Sequence, residues 1–375
     1  MFGFANFLLL ALFAAAVFDL IFALARGGGL RGALHGLWNT PHLLFGQQLA
    51  EWRLQLGRIL FAAGLAAYEI SVVFCNSMAR QNWAWVQGVM SPVLEWLAFL
   101  CFGAKILFGT RYTWRELLAG GALYFIARWV YFNSQNIWWI GIVVAVLAAK
   151  DVSLRRPLQV YFASGCAAMA VVLALHFAGI VAPDLTSERM GALRGTYGYG
   201  HPNTFGGLVF GLVLAYALLR AQKVRWVDCL LVFAVGVFLL VGPASRSAAL
   251  CTLALAVGLV FCRLRTGHSV PRWWPGTCAG MVGLTAAVSY LLPLLVIKVG
   301  PWNNDIGPAW LAKLDSLLTC RISLTWMAYR LLDVKIAGQV FNWPTVDNSF
   351  AFALFQFGPV VAALLGILFA AALLG

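Results

Sequence analysis

The sequence predicts an all-α, polytopic integral membrane protein. Of its 375 residues, 62% are hydrophobic and 10% are charged. The apolar residues recur in runs of about twenty, the length that crosses a bilayer as a helix. Because lipid offers the backbone no hydrogen-bond partner, membrane spans are helices or closed barrels, and continuous apolar runs of this kind are helices. The composition therefore excludes a soluble globular domain.

About eleven runs qualify as membrane spans. They cover residues 4–25, 58–76, 88–108, 116–132, 134–149, 158–181, 203–221, 226–242, 246–262, 275–297 and 348–374. No basic residue precedes the first run and no small-residue cleavage signal follows it, so we interpret it as a retained helix and not as a signal peptide. We find no internal repeat and no domain boundary, which predicts a single transmembrane domain over 1–375.

Basic residues set the orientation of the predicted spans. Alternate loops carry most of the arginines and lysines, namely Arg26, Arg31, Arg53, Arg58, Lys105, Arg111, Arg115, Lys150, Arg155, Arg156, Arg220, Lys223, Arg225, Arg263, Arg265 and Arg272. The positive-inside rule assigns these loops to the cytoplasm. The loops at 182–202 and 298–347 and the turn at 242–247 then face the exterior. The formal charge of +13 thus predicts contact with membrane lipid and not with nucleic acid.

The exterior loop at 298–347 is long enough to form structure of its own. Leu311, Leu314, Leu318 and Ile322 recur at three- and four-residue steps, which predicts a helix whose apolar side lies on the membrane or against the bundle. Loops of about fifty residues are uncommon unless they are functional. We therefore expect a lid or a product groove here.

The sequence predicts neither a metal nor another cofactor. Its eight cysteines form no C-x-x-C pair, and nearly all lie in or beside apolar segments, where they are typical of small buried hydrophobes. It contains no H-x-x-x-H motif, and no exterior loop contains a D-x-D motif. No Walker A motif is present either, which argues against an ATP-driven pump.

Four short motifs fall on predicted exterior segments. The first is Arg194-Gly-Thr-Tyr-Gly-Tyr-Gly-His-Pro-Asn-Thr-Phe-Gly206, and the others are Ser245-Arg246-Ser247, Arg321 and Asp347-Asn348-Ser349-Phe350. Together they resemble the membrane polysaccharide polymerases of the O-antigen polymerase and ligase superfamily. The resemblance covers roughly the second half of the chain.

The resemblance implies an activity and a location. Such an enzyme polymerises polyprenyl-diphosphate-linked oligosaccharide repeat units at the exterior face of the cytoplasmic membrane, by metal-independent glycosyl transfer with the diphosphate as leaving group. Its partners would be the lipid-linked glycan donor and acceptor, with a chain-length regulator or a flippase as protein partners. The ligase branch carries a functional histidine in its long exterior loop. Residues 298–347 contain none, which favours the polymerase branch.

Three arginines are the predicted diphosphate ligands, because guanidinium stays ionised and offers a planar fork of donors to phosphate oxygens. They are Arg194, Arg246 and Arg321. Each has a structural alternative, since Arg194 could be an exposed loop cation, Arg246 could snorkel to the interface, and Arg321 could lie on a solvated helix face. Tyr199, Asn203 and Asn348 are the other predicted substrate-binding residues, with Asn203 also a candidate helix cap.

His201 and Asp347 are the predicted catalytic residues. Imidazole titrates near neutrality, so His201 could activate the acceptor hydroxyl as a base, or donate to phosphate, or serve as a structural partner of a nearby tyrosine. Asp347 could abstract the same proton, or could simply favour a helix start electrostatically.

Two other functions stay open. One is a ligase that moves the glycan to another acceptor. The other is a lipid-linked oligosaccharide flippase or transporter, which would also use intramembrane charge. Glu69, Glu95 and Arg128 fall in or near apolar spans, where charge is costly. They predict either a buried ion pair or an acceptor site.

Overall fold

The computed structural model is 83% helical and confirms the all-α class. It describes residues 2–26, 29–47, 51–135, 138–181, 187–189, 192–265, 274–295, 309–317, 320–340 and 349–374. The chain forms two compact units. The first comprises Met1–Gly120 and Val144–His268, and the second comprises Gly121–Val143 and Ser269–Gly375.

Among the described residues, eleven α-helices lie wholly or partly in the first unit. They are α1 (Phe2–Ala25), α2 (Gly29–Asn39), α3 (Glu51–Cys75), α4 (Ala79–Asn82), α5 (Ser91–Phe108), α6 (Trp114–Ser134), α7 (Trp138–Ala149), α8 (Arg155–Phe177), α9 (Pro202–Arg220), α10 (Trp226–Val241) and α11 (Arg246–Leu264). A π-helical segment, Val86–Met90, leads into α5. Two-residue strands β1 (His42–Leu43) and β2 (Arg111–Tyr112) pair antiparallel, as do β3 (Ser187–Arg189) and β4 (Ala192–Arg194).

Six helices within the described ranges are long and apolar enough to cross a membrane. They are Asn6–Ala25, Glu51–Cys75, Val86–Phe108, Arg155–Phe177, Pro202–Lys223 and Arg246–Leu264. Shorter apolar helices lie at Trp139–Ala149, Trp226–Val241, Gly283–Leu294 and Ala353–Ile367. These lengths support a multi-pass membrane protein, but they do not confirm the predicted count of about eleven spans.

The first unit is a bundle in which neighbouring helices pack closely. α3 packs between α5 and α8, α9 packs against α8 and α11, and α10 packs against α11. At one crossing of α3 with the chain after α5, a Cβ added to Gly57 would lie 2.7 Å from the Gly109 carbonyl oxygen. Small residues allow this close backbone approach, as is common between membrane helices.

The loops at one end of the first unit, which we call the site end, are joined by hydrogen bonds. The Cys75 thiol bonds to the Ser91 hydroxyl at 2.8 Å, which brings the end of α3 to the start of α5. The Met78 amide donates to the Gly198 carbonyl at 2.8 Å. The turns after α3 and before α9 therefore lie at the same end. The turn between α10 and α11 lies there too, because the carbonyls of Pro243 and Ala244 accept hydrogen bonds from Arg194.

The opposite end, the basic end, carries most of the cations predicted to be cytoplasmic. Pairing of β1 with β2 joins residues 42–43 to the chain after α5. Lys105 donates to the Lys150 carbonyl at 2.7 Å, and Arg220 forms an ion pair with Asp228 at 3.3 Å across the turn between α9 and α10. The structure thus groups these loops in the same way as the charge pattern does.

The second unit contains α12 (Trp274–Leu291), α13 (Ala309–Leu317), α14 (Arg321–Leu331), α15 (Ser349–Phe352) and α16 (Gly358–Leu374). α12 packs against α15 and α16. A π-helical segment, Ala353–Phe357, joins α15 to α16.

The single helix predicted around Leu311 to Ile322 is instead two helices, α13 and α14. Cys320 adopts a left-handed conformation with φ of 64°, which an α-helix cannot accommodate. The buried Asp315 carboxylate then accepts from the Ile322 amide at 2.7 Å and the Ser323 amide at 3.2 Å, capping α14. Leu311 and Ile322 nevertheless share one apolar cluster, while Leu318 lies outside the described residues.

The site end of the first unit should face the exterior and the basic end should face the cytoplasm. Gln81 is exposed at the site end and Ser153 is exposed at the basic end. We expect Gln81→Cys to react with a membrane-impermeant maleimide outside intact cells, and Ser153→Cys to react only after permeabilisation, because the positive-inside rule places the basic end in the cytoplasm. Labelling is compared with the parent protein and its native cysteines. The reverse pattern would place the site end in the cytoplasm and contradict the orientation.

Candidate functional site

The start of α9 is capped by His201. Its backbone is extended, with φ of −153°, and its Nδ1 accepts from the Asn203 amide at 3.1 Å. Pro202 occupies the first helical position, where its fixed φ suits the helix and its missing N–H costs nothing. The helix predicted from residue 203 begins here at Pro202, but its cap is His201 and not Asn203.

The residues before this cap fold back on themselves through a tight turn. Tyr197 and Gly198 both have positive φ, at 50° and 80°, and the Tyr197 ring stacks on Phe205 with centroids 5.0 Å apart. A Cβ at position 198 would lie 3.0 Å from the His176 Cβ. Glycine at 198 therefore serves close packing against α8.

A second tight turn precedes α11. The Gly242 amide donates to the Phe238 carbonyl at 2.8 Å, and the Ser245 amide donates to the Leu239 carbonyl at 2.9 Å. Ala244 between them has a φ of 50°. The Ser245 side chain does not cap α11. The carbonyls of Pro243 and Ala244 instead accept hydrogen bonds from Arg194.

Arg194 joins the two turns. Its Nε donates to the Pro243 carbonyl at 3.4 Å, and its Nη2 donates to the Ala244 carbonyl at 3.1 Å and to Asn203 Oδ1 at 3.1 Å. The residue is only 5% exposed. A buried guanidinium requires such acceptors, since an unpaired buried charge is very costly. Arg194 is therefore not an exposed loop cation, and these bonds give it a role in positioning the site.

This network brings the starts of α9 and α11 side by side. The Ser245 hydroxyl donates to Asn203 Oδ1 at 3.4 Å, and a Cβ at Gly206 would lie 2.4 Å from the Ser245 Oγ. Helix N-termini carry partial positive charge and attract anions. Two such ends together form a candidate anion-binding surface.

The side chains that line this surface are polar and exposed. Arg246, the first residue of α11, is exposed, as are His201 and Asn203. Because Asn203 Oδ1 already accepts from Arg194 and Ser245, its amide nitrogen is the group left to donate to a ligand. Gln81, which the sequence analysis did not single out, is also exposed, and its Nε2 would lie 3.9 Å from a Cβ at Gly200.

Tyr199 lies beneath the surface. It is fully buried, and among the described residues its hydroxyl finds no hydrogen-bond partner. Burial raises the pKa of Tyr199, and the Glu69 carboxylate raises it further, so the phenol stays protonated. This burial favours a packing role over the predicted contact with substrate.

Within the described part of the chain, buried Glu69 forms no ion pair, so the ion-pair alternative lacks support there.

The other predicted site residues belong to the second unit. Arg321 is half-buried at the first position of α14. Asp347 and Asn348 lie outside the described residues. The structure therefore brings together Arg194, His201, Asn203 and Arg246, with Tyr199 below them.

Comparison with protein-family models, with curated proteins and with solved structures finds no match. A group of three or more histidine, cysteine or acidic side chains suited to a metal is not found among the described residues.

The burial of Arg194 generates a stability prediction. Arg194→Gln should lower the thermal unfolding midpoint of the purified protein, because each carbonyl left buried and unpaired costs about 1–3 kcal/mol. Arg246→Gln, the control, should leave the midpoint unchanged or raise it slightly, since a cation at a helix start is electrostatically unfavourable. Equal midpoints for Arg194→Gln and the parent would remove the positioning role.

Proposed function

We propose that the protein is a membrane glycosyltransferase that polymerises polyprenyl-diphosphate-linked oligosaccharide repeat units. One observation carries the proposal: the buried Arg194 holds the starts of α9 and α11 together beneath the exposed Arg246 and His201. This arrangement suits a diphosphate, because helix starts and a guanidinium stabilise negative charge. The motif resemblance supplies the glycan part of the proposal.

The reaction needs charge stabilisation at the leaving group. An acceptor hydroxyl attacks the anomeric carbon of the donor, the bond from that carbon to the diphosphate oxygen breaks, and negative charge develops on the departing diphosphate. Preorganised donors aimed at this charge lower the barrier. In our proposal Arg246 and the side-chain amide nitrogen of Asn203 supply such donors, while Arg194 positions them.

His201 suits the role of a donor better than that of a base. Its Nδ1 accepts from the Asn203 amide, so in the neutral ring the proton is on Nε2. That Nε2–H donates to a phosphate or sugar oxygen. Taking up a second proton at Nδ1 would break the cap. We therefore assign activation of the acceptor hydroxyl to Asp347.

The proposed location is the exterior face of the cytoplasmic membrane. The site end lies opposite the basic end, which the positive-inside rule assigns to the cytoplasm. Lipid-linked repeat units would reach the site within the membrane.

We also propose Arg321 as a further diphosphate ligand, and this assignment depends on the motif resemblance alone.

Glycan analysis separates this function from its alternatives. In a strain lacking the gene, we expect single lipid-linked repeat units to persist outside the membrane while longer chains disappear. A ligase would instead leave polymer on its lipid carrier, and a flippase would leave no repeat units exposed outside. Either of those patterns would contradict the polymerase.

Complementation of the same strain tests Arg246. Arg246→Ala should restore no chain extension, and Arg246→Lys only a fraction, because lysine lacks the bidentate fork. Arg265→Ala is the matched control, since Arg265 is exposed just beyond the other end of the same helix and should restore full extension. Full activity of Arg246→Ala would exclude Arg246 from the site.

The division of labour between Asp347 and His201 gives a further prediction. A positioned base contributes about a hundred- to ten-thousandfold in rate, so Asp347→Asn should retain donor binding and slow elongation by that factor. His201→Gln should keep measurable turnover. Single-turnover assays with purified protein provide the measurement. An active Asp347→Asn protein beside an inactive His201→Gln protein that still binds donor would reverse the assignment.

A further inference from the structure

A cavity of about 550 Å³ lies near the end of α1, beneath α2 and the segment that follows it. It belongs to the basic end of the first unit, because residues 42–43 of its wall pair with β2. Its walls combine apolar side chains, among them Phe22, Leu37 and Leu43, with a small group of charged ones. The proposed glycosyl-transfer site does not use it.

The buried Asp19 pairs with the half-buried His42 in this wall. Asp19 is 3% exposed and accepts from the Gly46 amide at 2.6 Å and from His42 Nε2 at 3.2 Å. The other ring nitrogen of His42 faces the Thr40 carbonyl at 3.2 Å. Because both nitrogens face acceptors, this geometry favours the ring that carries a proton on each nitrogen. Burial lowers the pKa of His42, but the bonds to Asp19 and Thr40 outweigh it and the pKa is raised.

The backbone is shaped around Asp19. Phe45 and Gly46 are both left-handed, with φ of 60°, and this turn aims the Gly46 amide at the carboxylate. A Cβ at position 46 would lie 2.8 Å from the Phe22 ring, so only glycine fits there without a shift. The Asp19 carboxylate is thus satisfied by protein donors.

Arg26 gives the cavity its net charge. Asp19 is paired with His42, while Arg26 has no acidic partner within the described residues. Its guanidinium carbon lies 4.3 Å from the centre of the Phe22 ring, which keeps it at the apolar wall. The lining therefore presents the Arg26 cation, the Asp19–His42 pair and an apolar surface.

α2 places this cavity at the membrane surface. Ala33 and Leu37 of α2 are buried, whereas Leu30, Leu34 and Trp38 are exposed. A helix with such an exposed apolar stripe and low overall hydrophobicity lies in the head-group region of a bilayer. The Arg115 guanidinium, which donates to Asn39 at 2.6 Å, ties the end of α2 to the start of α6.

From these observations we propose that the cavity binds the head group of an anionic phospholipid. Arg26 contacts the phosphate, and Phe22, Leu37 and Leu43 contact the first carbons of an acyl chain. The ligand shares its phosphate chemistry with free inorganic phosphate, but the apolar wall favours the lipid. Anionic lipids are concentrated in the cytoplasmic leaflet, the one to which the basic end is assigned.

Native mass spectrometry of the full chain in an uncharged detergent tests the proposal. Phosphatidylglycerol should bind the parent protein with an affinity that Arg26→Gln weakens by about fivefold, the contribution of one cation near a lipid surface. Arg31→Gln is the matched control, because Arg31 is exposed on α2 and outside the cavity lining. It should bind as the parent does. Both variants should unfold at the parent temperature, since each replaces an exposed side chain.

Two further arms identify the source of the phosphate. Phosphatidylcholine should bind more weakly than phosphatidylglycerol, and inorganic phosphate in large excess should not displace the bound lipid. Equal affinities for the Arg26→Gln and Arg31→Gln proteins would overturn the site. Equal affinities for the two lipids would overturn its preference for anionic head groups, and displacement by inorganic phosphate would identify the ligand as a free anion instead of a lipid.

Discussion

The geometry of the candidate site depends on one buried guanidinium. Arg194 is bonded to two main-chain carbonyls of the turn before α11 and to the Asn203 side chain at the start of α9. Removing Arg194 would leave these two main-chain carbonyls without its hydrogen bonds, which is costly in a buried place. The hydrogen bonds of Arg194 therefore also hold the two helix starts together, with Arg246 and His201 exposed beside them.

Charge is distributed differently at the two ends of the first unit. At the basic end many cations are paired or bonded within the protein, as in Arg220 with Asp228 and Lys105 with the Lys150 carbonyl, and they match a negatively charged lipid surface. At the site end the cations are few. A diphosphate bound there would accept hydrogen bonds from a few positioned donors and lie near two helix N-termini. Its negative charge would therefore be stabilised at one position and not over a whole surface.

Sequence patterns predicted the all-α class and the starts of α9 and α11, because a proline and an apolar run are local signals. They also placed Arg194, His201 and Arg246 on the same side of the membrane. They did not predict the burial of Arg194, since its carbonyl acceptors lie 49 and 50 residues away. Every residue has a main-chain carbonyl, so the sequence does not show which of them accept. The break at Cys320 was missed for a similar reason, because the left-handed backbone there follows from a cap that Asp315 supplies.

The most direct test is an electron cryomicroscopy structure of the protein in lipid nanodiscs with polyprenyl diphosphate bound. We expect the diphosphate at the starts of α9 and α11, in contact with Arg246 and the side-chain amide of Asn203. Arg194 should still donate to the carbonyls of Pro243 and Ala244. A diphosphate bound at another place, or an Arg194 side chain released from those carbonyls to contact it, would contradict the claim that Arg194 positions the site.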